Sequence, residues 1–207
     1  RFSPVRPGGR RARIRLPRLS SRRHRRSSAG RMIRKSPVHA RTSALNETGL
    51  WSHWSGTLAA DRYQMSDKFE YFAIRNSAGL FDSSPLYKYR IQGPDAEVFL
   101  ARVLARDIRT CVVGHGQYTA WLDDGGFVVE DGVVFRNAGG DYLLTAAEQN
   151  LAYFAALIGR KQVTITDVRQ ASGVLSIQGP NSRGLRTCLA PEVANLAAFA
   201  LTSAPIG

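Results

Sequence analysis

Cysteine is scarce in this 207-residue chain, and Cys111 and Cys188 stand far apart with no C-x-x-C pair. That spacing argues against a zinc ribbon, a dithiol redox motif and a disulfide-dense secreted scaffold, and leaves both residues as small buried hydrophobes. Long apolar runs are missing too. No stretch approaches the roughly 18 residues that a spanning helix needs, so no membrane partner is expected. The four histidines, His24, His39, His53 and His115, lack metal-ligand spacing. G-x-G-x-x-G, G-x-x-x-x-G-K-[ST] and G-x-S-x-G are all absent, which removes the common nucleotide-binding and hydrolase signatures. Gly114-His115-Gly116 has the wrong context for a dinucleotide loop, and His115 reads as a polar loop histidine. Ser83-Ser84-Pro85 reads as a turn or cap rather than a nucleophile.

Acidic side chains are missing altogether from residues 1–35, which hold thirteen arginines and one lysine. Residues 36–207 carry fifteen basic and sixteen acidic side chains. The net charge of +13 therefore belongs to one terminal segment, and any inference of nucleic-acid binding concerns that segment alone. The segment is poor in large apolar residues and cannot offset chain entropy by burial, so it is expected to be a disordered tail. It is open to three readings: a basic arm for phosphates, an import peptide, or upstream sequence foreign to the native protein, with Met32 a plausible start. Paired arginines and prolines spoil a clean amphipathic helix and weigh against import. The expected compartment is cytoplasmic, or mitochondrial if the leader is a transit peptide.

Residues 36–207 read as one α+β domain. Trp51 and Trp54, three apart, would form one apolar patch on a helical turn or lie in a wrapping loop. Met65, Phe69, Phe72 and Ala73 share one face of a helix predicted over 64–79, capped by Ser66, with Phe69 entering the core and Gly79 as the stop. Strands are predicted over 87–92, 118–122, 127–135, 141–145, 162–168 and 173–178. Helices are predicted over 96–104, 146–158 and 182–189. The hairpin between 118 and 135 turns at Asp124-Gly125-Gly126. Ile91-Gln92-Gly93-Pro94-Asp95-Ala96 is echoed by Ile177-Gln178-Gly179-Pro180-Asn181-Ser182. Each reads as strand, Gly-Pro turn and helix start, which suggests a duplicated, ferredoxin-like arrangement.

The run Gln117–Arg136 carries the acidic pair Glu130–Asp131 within β-branched residues. Strands disfavour Asp, and a buried carboxylate is costly unless paired. The pair is either a solvated bulge or a working carboxylate that handles a proton or holds an N–H-rich ligand.

Four segments resemble the glycine-cleavage T-protein (aminomethyltransferase) family. They are EYFAIRNSAGLFDSS at Glu70–Ser84, the Gly-Gly-to-acid hairpin at Gly125–Asp131, TAAEQN at Thr145–Asn150 and LSIQGPNS at Leu175–Ser182. Their order and spacing fit, and they span about 64–190. The resemblance implies a T-protein-type folate-binding domain with an antiparallel sheet and packed helices, incomplete at its C-terminus. It implies tetrahydrofolate as cofactor and one-carbon transfer, aminomethyl or methyl, as the activity. Asp131 would be the catalytic carboxylate beside the reactive nitrogens. Tyr118, Leu86, Glu130, Val133 and Thr145 would line the folate. The partner would be a small-molecule one-carbon donor or a lipoyl carrier protein. A non-catalytic folate-binding module of the same fold is the alternative. The sequence departs from the family at Leu86, where the family has Met, at Thr145, where it has Asn, and at Gly132, where it has Leu. The Ser-Pro-Leu-Tyr-Lys-Tyr form resembles tetrahydrofolate-dependent demethylase relatives.

Overall fold

The computed structural model describes residues 33–205. The expectation of a disordered tail over 1–35 falls mostly outside the described residues. Within them, Arg34 already forms a bridge with Thr57.

The expected α+β architecture is found, and every ladder is antiparallel. After α1 (His39–Leu45), the tryptophan segment forms a hairpin of β1 (Trp51–Trp54) and β2 (Thr57–Ala60) rather than a helical turn or a loop. Its Ser55–Gly56 turn needs two left-handed residues, φ +48° and +81°, as a tight two-residue hairpin loop does. Next come α2 (Asp67–Asn76) and β3 (Gly79–Asp82), then β4 (Tyr87–Gln92) and α3 (Ala96–Val103). The chain continues through β5 (His115–Leu122), β6 (Val128–Ala138), β7 (Asp141–Ala146) and α4 (Leu151–Ile158). It ends with β8 (Thr164–Asp167), β9 (Leu175–Gln178) and α5 (Ser182–Leu189). The main sheet has the order β5-β6-β7-β4-β8, while β3 pairs with β9 in a separate two-stranded ladder.

The core lies on one face of the main sheet. Tyr89 and Ile91 of β4, Trp121 of β5, Val134 of β6 and Tyr142 and Leu144 of β7 are fully buried there against Phe99 and Leu100 of α3 and Phe154 of α4. Period-two alternation sends these residues to one face and their neighbours to the other. Two polar tips in this core are satisfied by Asn150, at the entry to α4. Trp121 Nε1 donates to Asn150 Oδ1 at 3.2 Å, and Asn150 N–H donates to Tyr89 Oη at 2.8 Å.

Several sequence expectations are corrected, and Cys188 is exposed while Cys111 alone is buried. Ser66 does cap α2, accepting from the Lys68 N–H. However, Phe69 does not enter the core, and with Met65 and Phe72 it stays exposed. Helical periodicity marks an apolar face but does not supply its cover. Gly79 is not the stop: α2 ends at Asn76 and Gly79 opens β3. The helix predicted from 146 begins at Leu151, because Ala146 is the last residue of β7.

The Gly-Pro echo is a repeat in space. A Cβ on Gly93 would come 2.1 Å from the Gln162 carbonyl oxygen, and one on Gly179 would come 2.5 Å from that of Ser77. Gln162 precedes β8, the antiparallel neighbour of β4, and Ser77 precedes β3, the neighbour of β9. Each strand–Gly-Pro–helix unit thus presses its glycine against the helix-to-strand connector of the adjacent strand.

Candidate active site

The face of the main sheet opposite α3 and α4 gathers most of the sequence-predicted positions. Register places Tyr118 opposite Val133, and Asp131 opposite Ala120. Tyr118 and Asp131 are therefore diagonal neighbours, within reach of each other's side chains. The Tyr118 hydroxyl donates to Asp131 Oδ2. The phenol is 53% exposed, so the pair stands at the surface of this face rather than inside the core.

A bulge precedes the pair. Leu122 pairs with Val128 and Trp121 with Glu130, leaving Val129 unmatched. Bulges re-aim the side chains that follow them. Here the two acids go to different jobs. Glu130 lies opposite Trp121; its Oε1 accepts the Asp131 N–H and its Oε2 accepts the Glu148 N–H, both at 3.0 Å. It ties the loop after β7 to β6, whereas Asp131 joins Tyr118. The hairpin turn is organised by Asp123, whose Oδ1 accepts from the Gly125 and Phe127 N–H groups at 2.9 Å.

Thr145 sits where β6 and β7 part. Its hydroxyl donates to the Val133 carbonyl and accepts the Val133 N–H, both at 3.2 Å. The Thr145 carbonyl oxygen would lie 1.8 Å from a Cβ on Gly132. The departure to glycine at 132 is thus required by close backbone approach. Thr145 keeps Val133 in place but spends its hydroxyl on the strand.

Leu86 lies in the corner Ser83–Leu86 that leads into β4, with its N–H donating to the Ser83 carbonyl. Beneath that corner is Lys88, which sequence reading passed over. Lys88 pairs with Thr145 in register and is 1% exposed. Its Nζ donates to the Ser84 carbonyl at 2.9 Å and to that of Leu86 at 3.2 Å. Burial, and then the nearby Arg169 cation, hold its ammonium below the ordinary lysine range. A lone lysine between two tyrosines at 87–89 was the available signal. Arg169 lies 3.9 Å over the Tyr87 ring and donates to the Ser55 carbonyl, while Ser55 Oγ donates to the Ala147 carbonyl at 2.6 Å. These contacts anchor the β1–β2 turn beside the end of β7.

The structure therefore brings Asp131, Tyr118 and Val133 onto one face, with Thr145 and Leu86 holding its margins and Glu130 turned to a supporting contact. An acceptor carboxylate beside a phenol, next to an apolar valine, suits a flat heterocycle that presents N–H groups. A sizeable cleft lies elsewhere. It has a volume of about 740 Å³ and opens between the β1–β2 hairpin, α2 and the β3–β9 ladder. Among the described residues no helix is long and apolar enough to cross a membrane, and no cluster of His, Cys, Asp and Glu is suited to hold a metal ion.

Comparison with known proteins places the chain in a family. The GCVT N-terminal domain profile matches residues 42–204. An aminomethyltransferase from Cutibacterium acnes is 34% identical over 154 residues, covering 72% of this chain and 41% of that protein. One from Bacillus cereus is 35% identical over 125 residues, covering 58% and 34% respectively. The chain thus spans well under half the length of these curated relatives. Among solved structures, the glycine cleavage system aminomethyltransferase T from Bartonella henselae shares the fold, with a TM-score of 0.65 at 19% identity over 76% of this chain and 44% of that one. With most of its described length matched, the chain belongs to the GCVT N-terminal domain family.

Proposed function

We propose that the open sheet face is the folate-binding part of a tetrahydrofolate-dependent one-carbon transferase of T-protein type, with Asp131 as its catalytic carboxylate. The observation that carries this reading is the Tyr118–Asp131 pair on the open face. The pair fits the cofactor: a carboxylate there accepts N–H groups, the phenol borders the same spot, and Val133 offers an apolar wall. Tetrahydrofolate, when bound, would supply the nitrogen that accepts the one-carbon unit. Asp131 would orient that nitrogen and stabilise positive charge developing near it. Tyr118 would hold the Asp131 carboxylate in one rotamer. Lys88 and Thr145 would fix the corner and strand that carry Leu86 and Val133.

The relatives set the order in which donors are to be tested. They are named aminomethyltransferases, so an aminomethyl group presented by a lipoyl carrier protein is the first donor to test. A small methylated donor, which needs no carrier, is the second. Asp131→Asn should lower one-carbon transfer by roughly 10²–10⁴-fold while leaving the urea unfolding curve in place. Unchanged turnover would remove the catalytic assignment. Tetrahydrofolate binding without any transfer in the unmutated protein would favour the non-catalytic module.

A further inference from the structure

The cleft beside the β3–β9 ladder takes no part in the open-face site, and its chemistry differs. Its volume of about 740 Å³ is that of a small-ligand site. Trp51, Trp54, Leu58, Ile74 and Phe81 line it. The charged groups on its wall are all of one sign. Glu47, Glu70 and Asp82 line it, and no Lys, Arg or His does among the described residues. None of these acids belongs to an ion pair there among the described residues.

Their oxygens are only partly used. Glu70 accepts the Tyr63 and Gln64 N–H groups through Oε1, at 2.7 and 3.1 Å. Asp82 accepts the Ser84 N–H through Oδ1. The other oxygen of each carries no bond among the described residues, and neither does the Glu47 carboxylate. The field inside the cleft reaches Tyr63, whose phenol is pushed up first by burial and further by Asp82 and Glu70.

Three classes of occupant can be compared. An anion would be repelled by the carboxylates. A bare divalent ion needs converging oxygens, and the three acids do not form a metal-sized cluster. A neutral apolar ligand would use the aromatic wall and leave the charge unanswered. A cation with an apolar body uses both, because aromatic faces attract cations and carboxylates complete the charge balance. We propose that the cleft between the β1–β2 hairpin, α2 and the β3–β9 ladder binds an alkylated ammonium ion, a small organic cation whose charged nitrogen bears carbon substituents.

The protein carries its own reporter. Of its three tryptophans, Trp121 is buried in the core while Trp51 and Trp54 line the cleft. Titrating the full chain with choline should change tryptophan fluorescence saturably. The uncharged isostere 3,3-dimethylbutan-1-ol should bind about tenfold more weakly or worse. Glu47→Gln with Asp82→Asn should weaken choline by about the same factor. Should the double variant misfold, as seen by circular dichroism, Glu47→Gln alone serves, since that side chain makes no hydrogen bond among the described residues. Asp131→Asn should leave choline binding unchanged, which separates this site from the open face. Equal affinity for the neutral isostere, no saturable response, or loss of binding in Asp131→Asn would each overturn the proposal. Tighter binding of an arginine hexapeptide that displaces choline would overturn it in favour of a peptide site.

Discussion

A carboxylate inside a strand destabilises unless something answers its charge, and Glu130 and Asp131 are answered differently. Glu130 takes two backbone N–H groups; Asp131 takes the Tyr118 hydroxyl. In the sequence the two acids looked alike, because adjacency says nothing about which will meet backbone and which a free face. The bulge at Val129 decided it. Gly132 is the third residue of this set. Gly132→Ala would drive a Cβ into the Thr145 carbonyl, and should cost about 2–3 kcal/mol in urea unfolding. Lys88 gives a pH signature. Its folded-state affinity for a proton is lower than that of an unfolded lysine, chiefly from burial. The unfolded chain therefore binds the extra proton between the folded value and the unfolded one near 10.4. Stability should rise with pH in that window through Lys88. Tyr89 opposes it: burial raises its phenol to about 12, so its contribution is full below the ordinary tyrosine value and falls above it. Urea midpoints of wild type and Lys88→Met, compared from pH 7 to 10, isolate the lysine. The wild type should gain on the variant as pH rises.

At the scale of elements, two helices with similar sequence patterns met different fates. Both α2 and α3 present apolar residues at helical spacing, and both end where the chain turns into strand or loop. Phe99 of α3 is fully buried, while Phe69 of α2 is 69% exposed. Phe99→Ala should therefore cost about 3–5 kcal/mol. Phe69→Ala should stay within about 0.5 kcal/mol, again by urea unfolding. The reverse order would mean that α2, not α3, carries core energy. The strands and the two Gly-Pro turns were legible because their signals are local: alternation, a glycine and a proline at fixed offsets. The β3–β9 ladder was not legible as a pair. It joins segments from opposite ends of the domain, and no short-range pattern reports such pairing.

Over the whole molecule, charge is segregated along the chain rather than over its folded surface. The basic excess lies in residues 1–35, and residues 36–207 are near neutral. The 207-residue chain should be retained on a nucleic-acid column with a steep salt dependence. Deletion of residues 1–31 should abolish that retention. Persistent retention of the shortened chain would place a basic surface on the folded part, against its charge balance.

The sequence alone determined the α+β class, the order of most strands and helices, the segregation of charge, and the four segments by which the family was legible. All of these are written in short-range spacing or in composition. Tertiary structure decided which sheet face stays open, which of the two acids meets Tyr118, that Lys88 is buried under the Ser83–Leu86 corner, and that three acids line an aromatic cleft. The physical reason is the same for each. Periodicity states which side chains share a face, but a face is covered or left open by elements distant in the chain. Burial, charge balance and reach are properties of that cover.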